Sequence, residues 1–271
     1  MFYSELPVGI FDSGLGGLSV WQQFTRLLPA EHTVYLADQA FCPYGPRAAA
    51  EIASRAEAIT RFLLQKKCKL IVVACNTATA AAIAHLRERF TETAFVGMEP
   101  AVKPAAKLTR TGHIGLLATA GTLKGDLLEK TSRMHASHVQ VHRQEGTGLV
   151  ELVERGLQDS PRAVALLASY LRPMLQAGAD QLVLGCTHYS FLINSIIKVA
   201  GTQLNIIDPA PAVAQRAKDL LQQQNLLHSN TGGPGRHQLF STLGADALQR
   251  FVESLSQLPA GSSCSFARQA I

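Results

Sequence analysis

The sequence lacks several features that would place it in a special class of protein. None of the apolar runs among its 271 residues reaches the roughly 18 uncharged positions that a membrane-spanning helix needs. Residues 1–7 contain no basic region followed by an apolar run, so no signal peptide is expected. The five cysteines are odd in number and follow no spacing typical of a disulfide framework. We therefore expect a cytoplasmic protein with reduced thiols.

Concentrated charge is also missing. Charged residues form 17% of the chain, and the formal net charge is +5. The densest basic run, residues 65–69, is typical of a helix end, where cations interact favourably with the helix dipole. A nucleic-acid partner is therefore not expected, because such a partner requires a basic patch or stripe. The apolar fraction of 47% is ordinary for a folded α/β protein with one large or two medium domains.

Two stretches of similar design stand out against this background. Residues 69–80 and 181–189 each combine a short apolar run, a small residue, a cysteine and polar residues that begin a helix. A continuous apolar run predicts a strand covered on both faces, and ligands bind beyond the carboxyl ends of such strands. Cys75 and Cys186 lie 111 positions apart at these ends. We predict that two related units present two thiols in the same way.

A second repeat supports this organisation. The apolar segment around Gly9 resembles the segment around Gly115, with an offset of 106 positions that is close to the cysteine offset. The sequence predicts two pseudo-symmetric α/β domains with mainly parallel sheets and an active site in the cleft between them. The predicted domains are residues 1–97 plus 208–271, and residues 98–207.

Other local patterns predict connecting and terminal structure. The turn at residues 12–17 follows the first strand and is rich in glycine, as in a phosphate cradle or in a plain tight turn. A mobile polar loop is predicted at 228–237, a helix at 191–199 and a helix at 245–258. The tail, 260–271, has weak periodicity and is expected to fray.

Several uses of the cysteines compete. A small buried hydrophobe suits Cys68 and Cys264, and suits Cys42 less well. Metal binding is disfavoured because Cys186 and His188 are only two positions apart and no nearby cluster supplies further ligands. Redox chemistry usually shows a Cys-x-x-Cys spacing, and acyl transfer with one cysteine leaves the second one unexplained.

Proton transfer by two bases uses both thiols. Inversion of a stereocentre through its Cα–H requires a base on one face of the carbon and an acid on the other. A thiol has a reference pKa of about 8.5, so modest tuning provides one thiolate and one thiol near neutral pH. Nearby carboxylates or an imidazole can relay protons to each thiol.

The motifs around these residues resemble those of the glutamate racemases, which belong to the cofactor-independent aspartate/glutamate racemase superfamily. The resemblance extends over nearly the whole chain in the same order. It is carried by residues 11–17, Asp38, residues 43–45, residues 74–78, residues 117–119, residues 185–189 and residues 207–209.

This resemblance implies interconversion of L- and D-glutamate without a cofactor or metal. Cys75 would take the Cα proton from D-glutamate and Cys186 from L-glutamate. Asp12 would assist Cys75, His188 would assist Cys186, and Glu154 would be a further carboxylate on the Cys186 side. From the residues alone, Glu154 is equally well explained as a solvated helix side chain.

The resemblance also implies a substrate-binding set and partners. The binding residues would be Asp12, Ser13, Asp38, Pro43, Tyr44, Gly45, Asn76, Thr77, Thr119, Thr122, Thr187 and His188. The partner would be glutamate, in a homodimeric cytoplasmic enzyme that supplies D-glutamate for peptidoglycan, with no membrane and no nucleic acid involved. A racemase for another acidic amino acid, or a non-catalytic binding protein on the same fold, is the alternative.

Three departures from the family pattern are visible. Ser190 replaces a usual proline, residues 144–148 replace a more apolar segment, and Gly125 and Leu128 replace a usual serine and tyrosine. None of these departures removes a residue with a predicted role in proton transfer.

Overall fold

The computed structural model describes residues 3–229, 233–255, 258 and 261–271, and strands and helices alternate through this part of the chain. The strands are β1 (Val8–Asp12), β2 (Thr33–Ala37), β3 (Leu70–Val73), β4 (Phe95–Gly97), β5 (His113–Ala118), β6 (Gln140–Glu145), β7 (Gln181–Gly185), β8 (Asn205–Ile207), β9 (Arg236–Ser241) and β10 (Ser263–Arg268). The α-helices are α1 (Leu18–Leu27), α2 (Ala49–Gln65), α3 (Asn76–Arg89), α4 (Val102–Leu108), α5 (Ala120–Leu123), α6 (Asp126–His135), α7 (Leu149–Glu154), α8 (Pro161–Gln176), α9 (Ile193–Ala200), α10 (Ala210–Gln223) and α11 (Ala245–Ser254). Short 3₁₀ helices cover Tyr3–Glu5, Gln39–Phe41 and Thr187–Leu192.

The strands form two sheets. The first has six strands in the order β10-β9-β2-β1-β3-β4, and the second has four in the order β6-β5-β7-β8. Every strand pair among the described residues is parallel. The predicted α/β class with parallel sheets is therefore confirmed. The division of the chain at residues 97 and 208 stays a prediction, and each predicted domain contains one complete sheet.

The two sheets repeat the same order of strands. The order β2-β1-β3-β4 in the first sheet corresponds to β6-β5-β7-β8 in the second. The registers also correspond, because Gly9 pairs with Ile71 and Gly115 pairs with Leu182. Both offsets read from the sequence are therefore preserved in the pairing of the strands. The central strands of each sheet carry equivalent positions to the same edge.

Burial on both faces explains the wholly apolar run of β3. Leu70 and Val72 belong to the same core cluster as Trp21. Ile71 and Val73 point to the opposite face and belong to a second cluster. Alternate residues of a strand face opposite sides, so a central strand covered by helices on both sides must be apolar throughout.

The C-terminal tail is ordered, so the prediction that it frays is wrong for residues 263–268. This segment is β10, which pairs with β9 in parallel from Ser263 opposite Arg236 to Arg268 opposite Ser241. β10 is an edge strand whose residues are exposed or only partly buried, so the hydrophobic periodicity that marks a strand is weak there. Backbone hydrogen bonds to β9, which periodicity does not report, hold it in place.

Other element bounds differ from the sequence-based expectation. The helix predicted from residue 191 begins at Ile193, after a 3₁₀ segment, and the last helix ends at Ser254. Residues 256 and 257 lie outside the described residues, as do residues 230–232 of the predicted mobile loop. The ends of that loop are fixed, because the His228 backbone N–H donates to Glu31 at 2.6 Å and residues 236–237 belong to β9. No described helix is both long and apolar enough to cross a membrane.

Candidate active site

The two cysteines lie at equivalent ends of equivalent strands. Cys75 comes two residues after the end of β3, and Cys186 directly follows β7. Each is the N-cap of a helix and has an extended backbone, with φ, ψ of −143°, 120° for Cys75 and −155°, 134° for Cys186. Both side chains are buried, and both thiols are free. Each sheet thus presents one thiol from its carboxyl edge.

Both thiols line one narrow cavity of about 10 Å³. Its lining residues are Ser13, Pro43, Tyr44, Gly45, Cys75, Asn76, Thr77, Thr119, Val150, Cys186, Thr187 and His188. All of these except Val150 were predicted from the sequence. The other four predicted residues, Asp12, Asp38, Thr122 and Glu154, do not line the cavity and lie farther from it. Val150 was missed because the apolar positions 149, 150, 152 and 153 are indistinguishable in sequence from the core face of a helix.

Asp12 stands behind Cys75. It ends β1 and is fully buried, and one carboxylate oxygen accepts a hydrogen bond from the Gly17 backbone N–H at 2.7 Å. The Cys75 sulfur accepts from the Ala78 backbone N–H at 3.4 Å and lies 3.8 Å from the Ser13 hydroxyl.

On the Cys75 side of the cavity, burial disfavours the charged forms of the ionisable groups. Burial raises the pKa of the Asp12 carboxyl, although the nearby charge on His188 opposes this shift. Burial, and then the negative charge of Asp12, raise the pKa of the Cys75 thiol well above its ordinary value. Cys75 is therefore a protonated thiol in the ligand-free protein and can act as a proton donor.

His188 and Glu154 stand behind Cys186. The His188 Nδ1 atom lies 3.8 Å from the Cys186 sulfur, and its Nε2 atom lies 2.7 Å from a Glu154 oxygen. The Glu154 side chain is only 16% exposed, so it is not a solvated helix residue.

The imidazole and the carboxylate form an ion pair. Burial disfavours the charged ring, but hydrogen bonds to Cys186, Cys42 and Glu154 outweigh burial and raise the pKa of His188 well above its ordinary value. Burial also works against the Glu154 carboxylate, but the contacts with His188 outweigh it and lower the pKa of Glu154. Cys75 therefore faces a carboxyl group, whereas Cys186 faces a cationic ring.

The glycine-rich turn holds the Glu154 carboxylate. The Leu15 backbone N–H donates to it at 2.6 Å, and Gln39 donates from its side chain at 2.9 Å. A Cβ atom at Gly14 would collide with Glu154, and one at Gly16 would collide with His188. The absence of side chains at these two positions therefore lets α7 and the His188 segment approach the turn closely. Since its amides bind protein carboxylates, the phosphate-cradle interpretation is not supported.

Asp38 acts through a neighbour rather than at the cavity. It is fully buried, receives two hydrogen bonds from Arg55 at 2.7 and 3.0 Å, and receives one from the Tyr44 hydroxyl at 2.5 Å. Tyr44 in turn lines the cavity. Arg55 was not predicted as a site residue, because a single arginine on an amphipathic helix gives no sequence signal.

Hydroxyl groups that follow strands of both sheets meet at another part of the cavity wall. The Thr77 and Thr119 hydroxyls lie 2.8 Å apart, and Thr119 also donates to Thr122 at 3.0 Å. The side-chain oxygen of Asn76 is buried and has no hydrogen-bond partner among the described residues. A buried acceptor without a partner is costly, so this oxygen is available for a donor on a bound molecule.

A wider vestibule of about 130 Å³ adjoins the cavity. The two spaces share Pro43, Gly45, Thr119 and Val150. Two exposed carboxylates, Glu145 and Glu151, also line the vestibule.

Two parallel sheets that each present one thiol to a shared cavity define a class of protein suited to acid–base chemistry on a small substrate. Residues 8–217 match the family model described as Asp/Glu/Hydantoin racemase, so the chain belongs to that family.

Known relatives agree with the predicted resemblance. The chain is 50% identical over 226 residues to a glutamate racemase from Roseiflexus sp., with 83% of each chain covered. A crystal structure of a glutamate racemase isoform from Bacillus anthracis is 33% identical and has a TM-score of 0.85, covering 97% of each chain. A glutamate racemase from Escherichia coli, solved with L-glutamate and the activator UDP-MurNAc-ala, is 32% identical with a TM-score of 0.82, covering 96% of this chain and 98% of that one. The predicted resemblance to glutamate racemases is confirmed.

Proposed function

We propose that this protein interconverts L- and D-glutamate by two-base proton transfer at Cα. The observation that carries the proposal is that Cys75 and Cys186, one from each sheet, meet at the same cavity. Family membership supports the reaction class, and the relatives named glutamate racemase support the substrate.

We assign one thiol to each enantiomer. With L-glutamate, the Cys186 thiolate takes the Cα proton, and the electron pair left on carbon is delocalised into the α-carboxylate. The Cys75 thiol then gives its proton to the opposite face and becomes a thiolate. With D-glutamate, the two cysteines exchange roles. The neutral state of Cys75 in the ligand-free protein supports its role as the donor toward L-glutamate.

The groups behind each thiol assist the transfers. Asp12 lies beside Cys75 and exchanges protons with it, whereas the His188–Glu154 pair presents a positive charge to Cys186. A cation there stabilises negative charge on the sulfur and on the substrate. Asp12, His188 and Glu154 are therefore proposed as the assisting residues.

Polar groups around the cavity are proposed to bind the substrate. The unpartnered oxygen of Asn76 supports a contact with the substrate ammonium. Hydroxyl and backbone N–H groups are suited to the two carboxylates. The proposed binding set is Asp12, Ser13, Pro43, Tyr44, Gly45, Asn76, Thr77, Thr119, Thr122, Thr187 and His188, with Asp38 acting by holding Tyr44.

We also propose a cytoplasmic homodimer that supplies D-glutamate for peptidoglycan. Five free cysteines among the described residues support a reducing compartment. The resemblance to glutamate racemases supports the assembly and the biological role. Analytical ultracentrifugation tests the dimer directly, and a sedimentation coefficient of a monomer would contradict it.

Circular dichroism of enantiopure glutamate tests the reaction. The signal should decay to zero from either enantiomer, because the equilibrium mixture is racemic. Cys264→Ser is the matched control, since this cysteine lies on edge strand β10, away from the cavity. The control should keep full activity. A stable signal with measurable glutamate binding would favour a binding protein. A signal that decays with enantiopure aspartate but not with glutamate would favour a racemase for another acidic amino acid.

A further inference from the structure

A third cysteine lies beside the ion pair and has no part in the proposed reaction. Cys42 is half-buried and free, and it follows the 3₁₀ helix Gln39–Phe41. Its sulfur, a ring nitrogen of His188 and a carboxylate oxygen of Glu154 all lie within 4.8 Å of one another. A thiolate, an imidazole and a carboxylate are the three ligand types that bind Zn²⁺ in proteins.

We propose that Cys42, Glu154 and His188 form a three-ligand site for a thiophilic divalent cation of the Zn²⁺ type, and that its occupation inhibits the enzyme. The binding site is argued from the geometry alone, whereas the inhibition rests on the proposed function. No sequence motif marks this site, because its three ligands are separated by more than 100 and by 34 positions.

The separations of the three ligand atoms suit a tetrahedral ion. Zinc bonds of about 2.0–2.3 Å place ligand atoms roughly 3.4–3.6 Å apart. The His188 nitrogen and the Glu154 oxygen, now 2.7 Å apart, need to separate by less than about 1 Å to admit the ion. The other two separations are at most 4.8 Å and so need to contract by no more than about 1.4 Å. A tetrahedral ion held by three side chains keeps a fourth position for water.

Existing hydrogen bonds already hold one ligand, Glu154, in place, and Gly14 leaves room for Cys42 beside it. Leu15 and Gln39 donate hydrogen bonds to Glu154 and fix its orientation. A Cβ atom at Gly14 would collide with Glu154 and would also lie 3.0 Å from the Cys42 sulfur. The missing side chain at Gly14 is therefore what lets these two ligands converge. Such outer hydrogen bonds orient ligands and increase metal affinity.

Occupation of the site would remove the partner of Cys186. Binding breaks the hydrogen bond between His188 and Glu154 and forms bonds from the metal to the nitrogen, the carboxylate oxygen and the Cys42 sulfur. The proton of the thiol and the proton shared by the ion pair are released to solvent. No oxidation or reduction takes place. The His188 ring keeps its Nδ1–H toward Cys186 but is then neutral, so it no longer presents a positive charge to this thiol.

A direct binding measurement on the full-length protein tests the site without any turnover. Zn²⁺ is titrated in competition with a chromogenic chelator, and Co²⁺ is used as a spectroscopic probe of thiolate coordination. We expect one ion per chain and a sulfur-to-cobalt charge-transfer band. Cys42→Ser should weaken Zn²⁺ binding by roughly 100-fold and abolish the band, because it removes the thiolate ligand. Cys42→Ala should do the same, and both variants are first checked for wild-type circular dichroism and Tm.

Two control variants separate this site from other thiols. Cys264→Ser removes a distant, partly buried cysteine, and Cys75→Ser removes one of the two cavity thiols. Both should keep the wild-type Zn²⁺ affinity and the cobalt band. Equal affinity in wild type and Cys42→Ser, loss of binding in Cys75→Ser, or no saturable binding in the wild type would each overturn the proposal.

The inhibition is measured separately, by racemisation of glutamate with and without Zn²⁺. The wild type should slow and recover on addition of EDTA, whereas Cys42→Ser should keep its own zinc-free rate at the same concentration. Equal inhibition of both would overturn the inhibitory role. Zinc binding without any racemisation in the absence of metal would contradict the proposed function and leave the metal site standing. Racemisation without zinc binding would do the reverse.

Discussion

Replacement of Glu154 by glutamine isolates the contribution of the ion pair on the Cys186 side. The substitution preserves the shape of the side chain and an oxygen that can accept from the Leu15 backbone N–H. It removes the negative charge that faces the His188 ring at 2.7 Å. His188 then holds its positive charge less strongly beside Cys186, and proton abstraction from L-glutamate should slow.

The structure sets the size of this effect. The His188 side chain is 2% exposed and that of Glu154 is 16% exposed, so water screens their interaction weakly. A hydrogen bond to a charged group contributes about 1.5–3 kcal/mol, and each 1.36 kcal/mol changes a rate tenfold. We expect kcat/KM to fall by roughly 10- to 100-fold. Glu151→Gln, on the same helix but exposed, is the matched control and should change kcat/KM by less than about threefold.

The assay compares both directions of the reaction. Initial rates from L- and D-glutamate are followed by circular dichroism, with and without deuterium at Cα. Since the equilibrium fixes the ratio of the two kcat/KM values, both must fall equally in the variant. The primary isotope effect should nevertheless rise more with deuterated L-glutamate than with the D-enantiomer, because only abstraction by Cys186 has become slower.

Two results would refute this reasoning. If Glu154→Gln retained the wild-type kcat/KM, the ion pair would not support the chemistry. If the isotope effects rose equally from both enantiomers, Glu154 would act on the whole cavity rather than on Cys186. A Tm within a few degrees of the wild-type value is required for either result, so that a loss of folding is not counted as a loss of catalysis.

The remaining predictions concern both thiols, the support of Tyr44 and a buried histidine. Cys75→Ser and Cys186→Ser should each abolish measurable racemisation, because a serine hydroxyl is too weak an acid. In deuterated water, the wild-type product at low conversion should carry deuterium at Cα while unreacted substrate keeps protium. Protium in the product would contradict a mechanism with two bases. Arg55→Met leaves the buried Asp38 carboxylate without its bidentate partner; we expect a lower Tm and a loss of about 3–5 kcal/mol in unfolding free energy, and an unchanged Tm would contradict this. Burial lowers the pKa of His237 to about 4, so on acidification the unfolded chain binds a proton before the folded chain does, and stability falls as pH drops below about 6.5. Urea unfolding of the wild type should show about 2 kcal/mol less stability at pH 5 than at pH 7 from this group. His237→Asn should remove this difference, and its absence in the wild type would contradict the prediction.

The repeated core of this protein can be predicted from its sequence alone. β3 and β7 are buried on both faces, so their apolar runs carry a strong local signal, and the cysteine that follows each run must lie at the carboxyl edge of its sheet. The offsets of 106 and 111 positions reappear as matching registers around Ile71 and Leu182. These features depend on periodicity and chain order, which a single sequence contains.

The distant side chains that meet around the cavity could be identified only from the folded structure. Arg55 on Asp38, Val150 in the cavity wall, and Cys42 beside Glu154 and His188 are contacts between elements far apart in the chain. Local pattern carries no information on them, because periodicity reports which face of an element is buried and not which distant residue that face meets. The edge strand β10 was not predicted for a similar reason: backbone pairing with β9, rather than an apolar stripe, holds it in the sheet. Long-range contacts place a carboxyl group beside Cys75 and a cationic ring beside Cys186, so the two thiols have different surroundings.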